Sequence, residues 1–151
     1  MIVENWLDKE LHSFLEKEFL YLTPHYYGHK SKAKTKNVFY NTDLNSSDPL
    51  IRFLSQKLQK TLNNKLIIHR IYINIQHPNM SGDFHTDEGN LTCVYMVTGN
   101  GNLEIKNEEL IEFKNNKLIC FDSKKLHRGL APTEGVRVTL AFKTTTTGEK
   151  Y

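Results

Sequence analysis

The sequence predicts a mainly β protein with helices at its N-terminus. Before residue 65, apolar side chains recur at spacings of three and four, as in amphipathic helices. Beyond Leu66 the spacing changes to two, and segments rich in Gly, Asn and Pro separate short strand-like runs. Many short strands of this kind predict an antiparallel sandwich or barrel, with the helices covering one outer face.

The length indicates one domain over residues 1–151, because a chain of 151 residues closes a single core of ordinary size. Within it we expect a helical N-terminal part over 1–65 that packs on the sheet. A β core would follow over 66–143. The threonine run that begins the remaining segment, 144–151, is interpreted as a frayed tail.

The first helix is predicted over residues 3–22, before Pro24. Its apolar stripe is formed by Trp6, Leu7, Leu11, Phe14, Leu15 and Phe19. A second helix should begin where Asp48 can cap it and Pro49 suits its first turn. Its stripe comprises Leu50, Ile51, Leu54, Leu58 and Leu62. Between the helices lies a polar connection, 25–45, rich in lysine and tyrosine; whether it forms a substrate lid is open.

The β core is predicted to contain six strands separated by the turn segments PNMSGD, TGNGN, KNNK and APTEG. The predicted strands are 66–76, 91–98, 102–106, 109–114, 117–122 and 135–143.

Composition excludes several classes of protein. The net charge of +3 does not by itself indicate nucleic-acid binding. Cys93 and Cys120 lie in apolar runs and are expected to be buried, reduced thiols. The N-terminus lacks the pattern of a signal peptide, and no apolar run approaches the ~20 residues that cross a bilayer. We therefore expect a cytoplasmic protein that does not associate with membranes. The sequence does not define its oligomeric state.

Three residues form a candidate metal site. His85 and Asp87 follow a glycine-containing loop and, being two apart in an extended segment, project from one face. A His-x-Asp tripeptide arises by chance in roughly one chain of this kind in four, so it needs a third ligand. His127 follows the apolar run KLICFD and can supply that ligand. Two imidazoles and one carboxylate are the facial set of non-haem Fe(II) oxygenases; a zinc hydrolase is the alternative.

A guanidinium ten positions after the last ligand suggests a co-substrate. Arg137 lies between Val136 and Val138, and its planar fork suits a carboxylate. Thr139 shares its face of the strand. The first strand also alternates: one face carries only isoleucines, and the other carries Tyr72, Asn74 and Gln76. A buried polar row needs partners, which a dicarboxylate would supply; a solvated outer face is the alternative.

Over residues 70–143 the chain resembles the Fe(II)- and 2-oxoglutarate-dependent dioxygenases, and among them the prolyl-4-hydroxylase-like branch. The resemblance rests on RIYINIQHPNMSGDFHTD, LTCVYMV, GNLEI, LICFDSKKLHRGLAP and RVTLAFK. It implies a double-stranded β-helix, the jelly-roll or cupin-like core, preceded by helices. Such enzymes couple decarboxylation of 2-oxoglutarate to succinate and CO2 with hydroxylation of an unactivated C–H bond.

By this resemblance His85, Asp87 and His127 are the catalytic Fe(II) ligands, and Arg137 pairs with the distal carboxylate of 2-oxoglutarate. O2 is the oxidant, and ascorbate is a candidate reductant. Further contacts to the co-substrate or the cavity are expected from Thr139, Gln76, Asn74, Tyr72, Leu103 and Met96, with Thr92 and Val94 beside them. Related enzymes often use a tyrosine near the position of Gln76, so these hydrogen bonds depart from the family pattern.

The substrate is less determined. A prolyl residue in a peptide or protein is the best single prediction, and a free amino acid, another protein side chain or a small metabolite is the alternative. Base demethylation is disfavoured because that branch carries a second arginine where this chain has Lys143. The lysines of 25–45, with Lys124 and Lys125, would suit an acidic or phosphorylated substrate but are equally typical of a solvated loop. A catalytically silent metal- or ligand-binding module on the same fold also stays open.

Overall fold

The structure, a computed structural model, describes residues 1–108 and 110–151. Within these ranges α1 is Lys9–Lys17, which continues as a π-helical turn over Glu18–Leu22, and α2 is Pro49–Leu62. The strands are Ile2–Glu4 (β1), Tyr26–His29 (β2), Phe39–Asp43 (β3), Leu66–Gln76 (β4), Leu91–Thr98 (β5), Leu103–Ile105 (β6), Lys117–Asp122 (β7), His127–Gly129 (β8) and Arg137–Thr146 (β9).

Seven strands form one antiparallel sheet in the order β1-β7-β5-β9-β4-β3-β2, and β6 pairs with β8 in a small second sheet. Isolated bridges from His85 to His127 and from Leu103 to Ile111 join further segments to the small sheet. The mainly β class with N-terminal helices is confirmed. None of the described helices combines the length and the apolar character that a membrane span requires.

The two faces of the large sheet have different neighbours. On β4, Ile71, Ile73 and Ile75 point into a core that also contains Leu54 and Leu58 of α2. The alternate side chains of β4 point to the small sheet, because successive side chains of a strand leave opposite faces. Both cysteines are buried and free, as predicted. The helices therefore cover one face, and the other face is left for a cavity.

The first helix begins later than predicted. Residues Ile2–Glu4 instead form a strand that pairs with β7. Asn5, at a φ of 51°, ends this strand, and Asp8 caps α1 three residues later. The apolar residues before α1 fit a helical spacing but serve as an edge strand and as core. The prediction for α2 was accurate: Asp48 accepts hydrogen bonds from the backbone of its first turn, and Pro49 follows.

The connection 25–45 contains two strands that the sequence analysis did not predict. β2 pairs with β3, and β3 pairs with β4, so this segment extends the large sheet. Of the predicted strand 109–114, Glu109 lies outside the described residues. Residues 110–114 form only the isolated bridge at Ile111, so the prediction of a strand there was wrong.

The interpretation of 144–151 as a frayed tail was wrong at its start. β9 runs on to Thr146, and these threonines pair with the beginning of β4. Thr144 is fully buried, and its hydroxyl donates to the carbonyl oxygen of Leu91 at 2.9 Å. Threonine has high strand propensity, so the run continues the strand.

Candidate metal centre and co-substrate cavity

A cavity lies between the inner face of the large sheet and the small sheet. The empty space here, including the part that is open to solvent, is about 450 Å³. Its walls are formed by Ser31, Phe39, Tyr72, Asn74, Gln76, Gly82, His85, Asp87, Thr92, Val94, Leu103, His127, Gly129, Arg137, Thr139 and Ala141. The cavity therefore collects most of the site residues proposed from the sequence.

The three candidate ligands converge through backbone pairing. The amide groups of His85 and His127 each donate to the other residue's carbonyl, at 3.1 and 3.0 Å, which sets the imidazoles side by side. Asp87 is fixed by its own amide, which donates to the carbonyl of Ser123 at 2.9 Å. One ligand atom from each of the three lies within 4.8 Å of the others. A single ion can therefore reach all three.

The two imidazoles are oriented for metal binding. Nδ1 of His85 lies 2.8 Å from the carbonyl oxygen of Asp83, and Nδ1 of His127 lies 2.9 Å from that of Lys125. A carbonyl oxygen only accepts, so each Nδ1 carries a proton and each Nε2 keeps its lone pair for a metal. Burial lowers the pKa of His85, which favours the neutral imidazole that a metal requires.

Asp87 is an ionised carboxylate with no exposed side-chain surface. Thr92 donates to its Oδ2 at 2.8 Å, and His127 Nε2 lies 3.1 Å from the same oxygen. Burial alone would raise the pKa of Asp87, but its contacts with His127 and Lys143 outweigh burial and hold that pKa far below its usual range. Its Oδ1 faces the Nζ of Lys143 at 2.9 Å and Nε2 of His85 at 3.6 Å. A buried, ionised carboxylate that faces Nε2 of both imidazoles fits a metal ligand.

Arg137 is a buried cation whose hydrogen-bond partners are neutral. It is 2% exposed. Its Nε donates to the carbonyl of Gly101 at 2.7 Å, and Nη1 donates to Oε1 of Gln76 at 2.6 Å. Burial lowers the pKa of Arg137 to about 10, so it is still charged at neutral pH. Among the described residues no carboxylate lies within 4.0 Å of it, and an isolated buried charge is costly. The cavity is therefore suited to an anion.

Gly129 has no side chain, and the end of the Arg137 side chain occupies the space beside it. A Cβ on Gly129 would lie 2.8 Å from Nη1 of Arg137 and 3.1 Å from Oε1 of Gln76. A methyl group at this position of β8 would therefore push the ends of these two side chains away.

The other predicted contacts fall into two groups. Tyr72, Asn74, Thr139 and Leu103 line the cavity, with Thr92 and Val94 beside them. Gln76 also lines it, but its amide is engaged by Arg137 and by the carbonyl of Met80, at 2.7 Å. Gln76 thus orients the guanidinium.

Met96 was predicted to line the cavity and does not. It is fully buried in the apolar cluster behind the cavity, where its sulfur accepts from the backbone of Lys114 at 3.4 Å. Alternation placed Met96 on the correct face, but this position lies deeper than the cavity wall.

Sequence reasoning missed several contributors, Gly129 among them. Ser31 from the β2–β3 loop and Phe39 from β3 complete one wall, so 25–45 does border the cavity. The loop is attached to the metal-site segment, because Nδ2 of Asn37 donates to Oδ1 of Asp83 at 2.9 Å. Lys143 places its Nζ 2.9 Å from Oδ1 of Asp87. Its position, on the same face of the strand as Arg137, was the available signal.

The sequence matches no protein-family model and no curated protein. Solved structures do match. The viral collagen prolyl hydroxylase of Paramecium bursaria Chlorella virus-1, solved with 2-oxoglutarate, is 14% identical, with a TM-score of 0.69 over 95% of this chain and 94% of that chain. A prolyl hydroxylase of Trichoplax adhaerens, in complex with a peptide fragment of the oxygen degradation domain of hypoxia-inducible factor, is 13% identical, with a TM-score of 0.72 over 95% and 82%.

A non-haem α-ketoglutarate-dependent epimerase of nogalamycin biosynthesis is 8% identical, with a TM-score of 0.67 over 95% of this chain and 76% of that chain. At such identities the likeness establishes the fold. The chain has the double-stranded β-helix fold of 2-oxoglutarate-dependent oxygenases, as predicted. The same fold serves hydroxylases and an epimerase, so the fold alone does not define the activity.

Proposed function

We propose that the protein is an Fe(II)- and 2-oxoglutarate-dependent dioxygenase that hydroxylates an unactivated C–H bond while 2-oxoglutarate is decarboxylated to succinate and CO2. One observation carries the proposal. A buried guanidinium whose hydrogen-bond partners are neutral lines the same cavity as two imidazoles and an ionised carboxylate. A metal and a dicarboxylate would together satisfy the groups that the chain leaves unsatisfied.

Each group would have a defined role. His85, Asp87 and His127 would hold Fe(II) through two imidazole nitrogens and one carboxylate, the ligand set of non-haem Fe(II) oxygenases. The metal and the co-substrate supply the oxidative chemistry. Arg137 uses two of its five N–H groups within the protein, so the others can donate to the distal carboxylate of 2-oxoglutarate.

The surrounding residues would position the co-substrate and exclude water. The Thr139 hydroxyl shares the cavity with Arg137 and can donate to the same carboxylate. Tyr72 and Asn74 offer further polar contacts, whereas Leu103 supplies an apolar wall. Charge-assisted hydrogen bonds are stronger than those between neutral groups, so Arg137 would provide the main contact to the carboxylate.

The test is metal analysis after anaerobic purification, followed by assays with Fe(II), O2 and 2-oxoglutarate. Iron binding and succinate formation that needs all three would support the proposal. A zinc hydrolase would instead contain zinc and bind no 2-oxoglutarate. A silent binding module would bind metal and 2-oxoglutarate without forming succinate with any substrate. Adding and omitting ascorbate in the same assays tests its role as reductant.

For the substrate we propose a prolyl residue in a peptide or protein. Two of the structures with a similar fold are prolyl hydroxylases, and one of them was solved with a peptide fragment. The sequence also resembles the prolyl-4-hydroxylase-like branch. A panel of proline-containing peptides, free amino acids and small acids tests this by mass spectrometry. Addition of one oxygen atom to a prolyl residue is expected. Oxygenation of a free amino acid or metabolite alone would replace the peptide proposal and leave the reaction class intact.

A further inference from the structure

Two residues on neighbouring strands hold the same carboxylate. Thr92 of β5 and Lys143 of β9 are directly opposite each other in the antiparallel register. Thr92 donates to Oδ2 of Asp87, while the Nζ of Lys143 lies 2.9 Å from Oδ1. The sheet thus fixes both oxygens of the candidate metal ligand, one by a neutral hydroxyl and the other by a cation.

The charge of Lys143 belongs to the metal site. Its side chain is 18% exposed, and Asp87 is the one carboxylate within 4.0 Å of it among the described residues. Its Nζ lies 5.4 Å from the centre of the Tyr72 ring. Arg70, opposite Lys143 in the β4 register, packs on the same ring but is paired with Asp43. Solvent therefore only weakly screens the interaction between the charge of Lys143 and the metal site.

A cation beside a metal ligand has two opposite electrostatic effects. It repels a divalent metal that binds the same carboxylate, and it attracts a dianion that binds the metal. It also competes with a metal for Oδ1, the oxygen that its Nζ contacts at 2.9 Å. A neutral hydroxyl such as that of Thr92 orients the ligand without either charge effect.

We propose that Lys143 is a positioning residue that acts through Asp87, weakening divalent-metal binding and strengthening binding of the dianionic co-substrate to the metal-loaded site. The co-substrate half of this inference rests on the proposed function. The metal half depends only on the contacts of Lys143 and Asp87.

Titrations with Co(II) alone, and then with 2-oxoglutarate on the Co(II)-loaded protein, test the inference by isothermal calorimetry. Lys143→Met should bind Co(II) about tenfold more tightly and 2-oxoglutarate about tenfold more weakly, because both effects are electrostatic. Lys143→Arg keeps the charge and should stay near wild type in both titrations. Thr92→Val should bind Co(II) about tenfold more weakly, as expected for loss of an orienting hydrogen bond.

The opposite signs distinguish this role from a structural one. Parallel weakening of both ligands in Lys143→Met, or no change in either, would overturn the inference. If Lys143→Met does not fold, as judged by thermal unfolding, Lys143→Gln replaces it with the same expected signs. If the Co(II)-loaded wild type binds no 2-oxoglutarate, the proposed function fails, whereas the Co(II) titrations still decide the metal half.

Discussion

The two faces of strands β4, β5 and β9 differ in what they bury. Toward the helices, the buried side chains are almost all apolar, as with Ile73 and Leu140. Toward the small sheet, the same strands bury Arg137 and place the partly buried Lys143 beside Asp87 of the neighbouring segment. Along each of these strands, alternate side chains therefore point into the apolar core and into the cavity.

The difference has an energetic consequence. Apolar burial against α1 and α2 stabilises the fold, whereas a buried guanidinium without a carboxylate opposes it. Ligands that satisfy Arg137 and the three candidate metal ligands bind the folded state only, and so should raise its stability. Substitutions on the helix face should therefore change stability, and substitutions on the cavity face should change ligand binding.

The largest expected effect is the loss of activity in Asp87→Ala or His85→Ala. Each change removes one of three ligands, so 2-oxoglutarate turnover should fall to background. Succinate formation measures this, and circular dichroism checks that the fold persists. Full turnover by Asp87→Ala would refute the metal site.

On the opposite face, Ile73→Ala should lower the free energy of unfolding by about 3 kcal/mol, because it leaves a cavity in a fully buried core. Urea denaturation measures the loss. The affinity of the folded protein for Co(II) should not change. A large loss of metal affinity would show that the two faces are coupled.

Arg137→Ala should raise the 2-oxoglutarate requirement about a hundredfold, as expected when one partner of a buried charge pair is removed. Initial rates at varied 2-oxoglutarate measure it, and Co(II) binding without co-substrate is the control. An unchanged Michaelis constant for 2-oxoglutarate would show that a group other than Arg137 binds its distal carboxylate.

Gly129→Ala should have a smaller effect in the same direction, about tenfold, because the new methyl group displaces the end of Arg137 by less than an ångström. Gly135→Ala is a matched control: Gly135 has no neighbour within 4 Å of a new Cβ, and its φ of +68° gives only backbone strain. Gly135→Ala should therefore lower stability without changing 2-oxoglutarate affinity. Equal losses of affinity in both variants would contradict the steric explanation.

The sequence predicted the fold class because the change from helical to strand spacing is a local signal. Alternation likewise placed Tyr72 and Asn74 on the cavity face. It did not reveal β2 and β3, whose polar residues lie near the sheet edge and carry little apolar pattern. It also did not separate Met96 from the cavity wall, because depth within a face depends on how the two sheets approach each other.

The role of Lys143 shows the same limit. Its spacing from Arg137 was visible in the sequence, but its contact with Asp87 depends on the β5–β9 register and on the turn that carries Asp87. The threonines that continue β9 were misinterpreted for a related reason. A polar run at the chain end carries no sign that a neighbouring strand covers it.

The most direct test of the proposed site is a crystal structure of the protein with Mn(II) and 2-oxoglutarate, prepared without oxygen. The expected result is one metal ion bound by Nε2 of His85, Nε2 of His127 and the carboxylate of Asp87. The distal carboxylate of 2-oxoglutarate should accept hydrogen bonds from Arg137. A metal bound elsewhere, or a 2-oxoglutarate whose distal carboxylate lies away from Arg137, would contradict it.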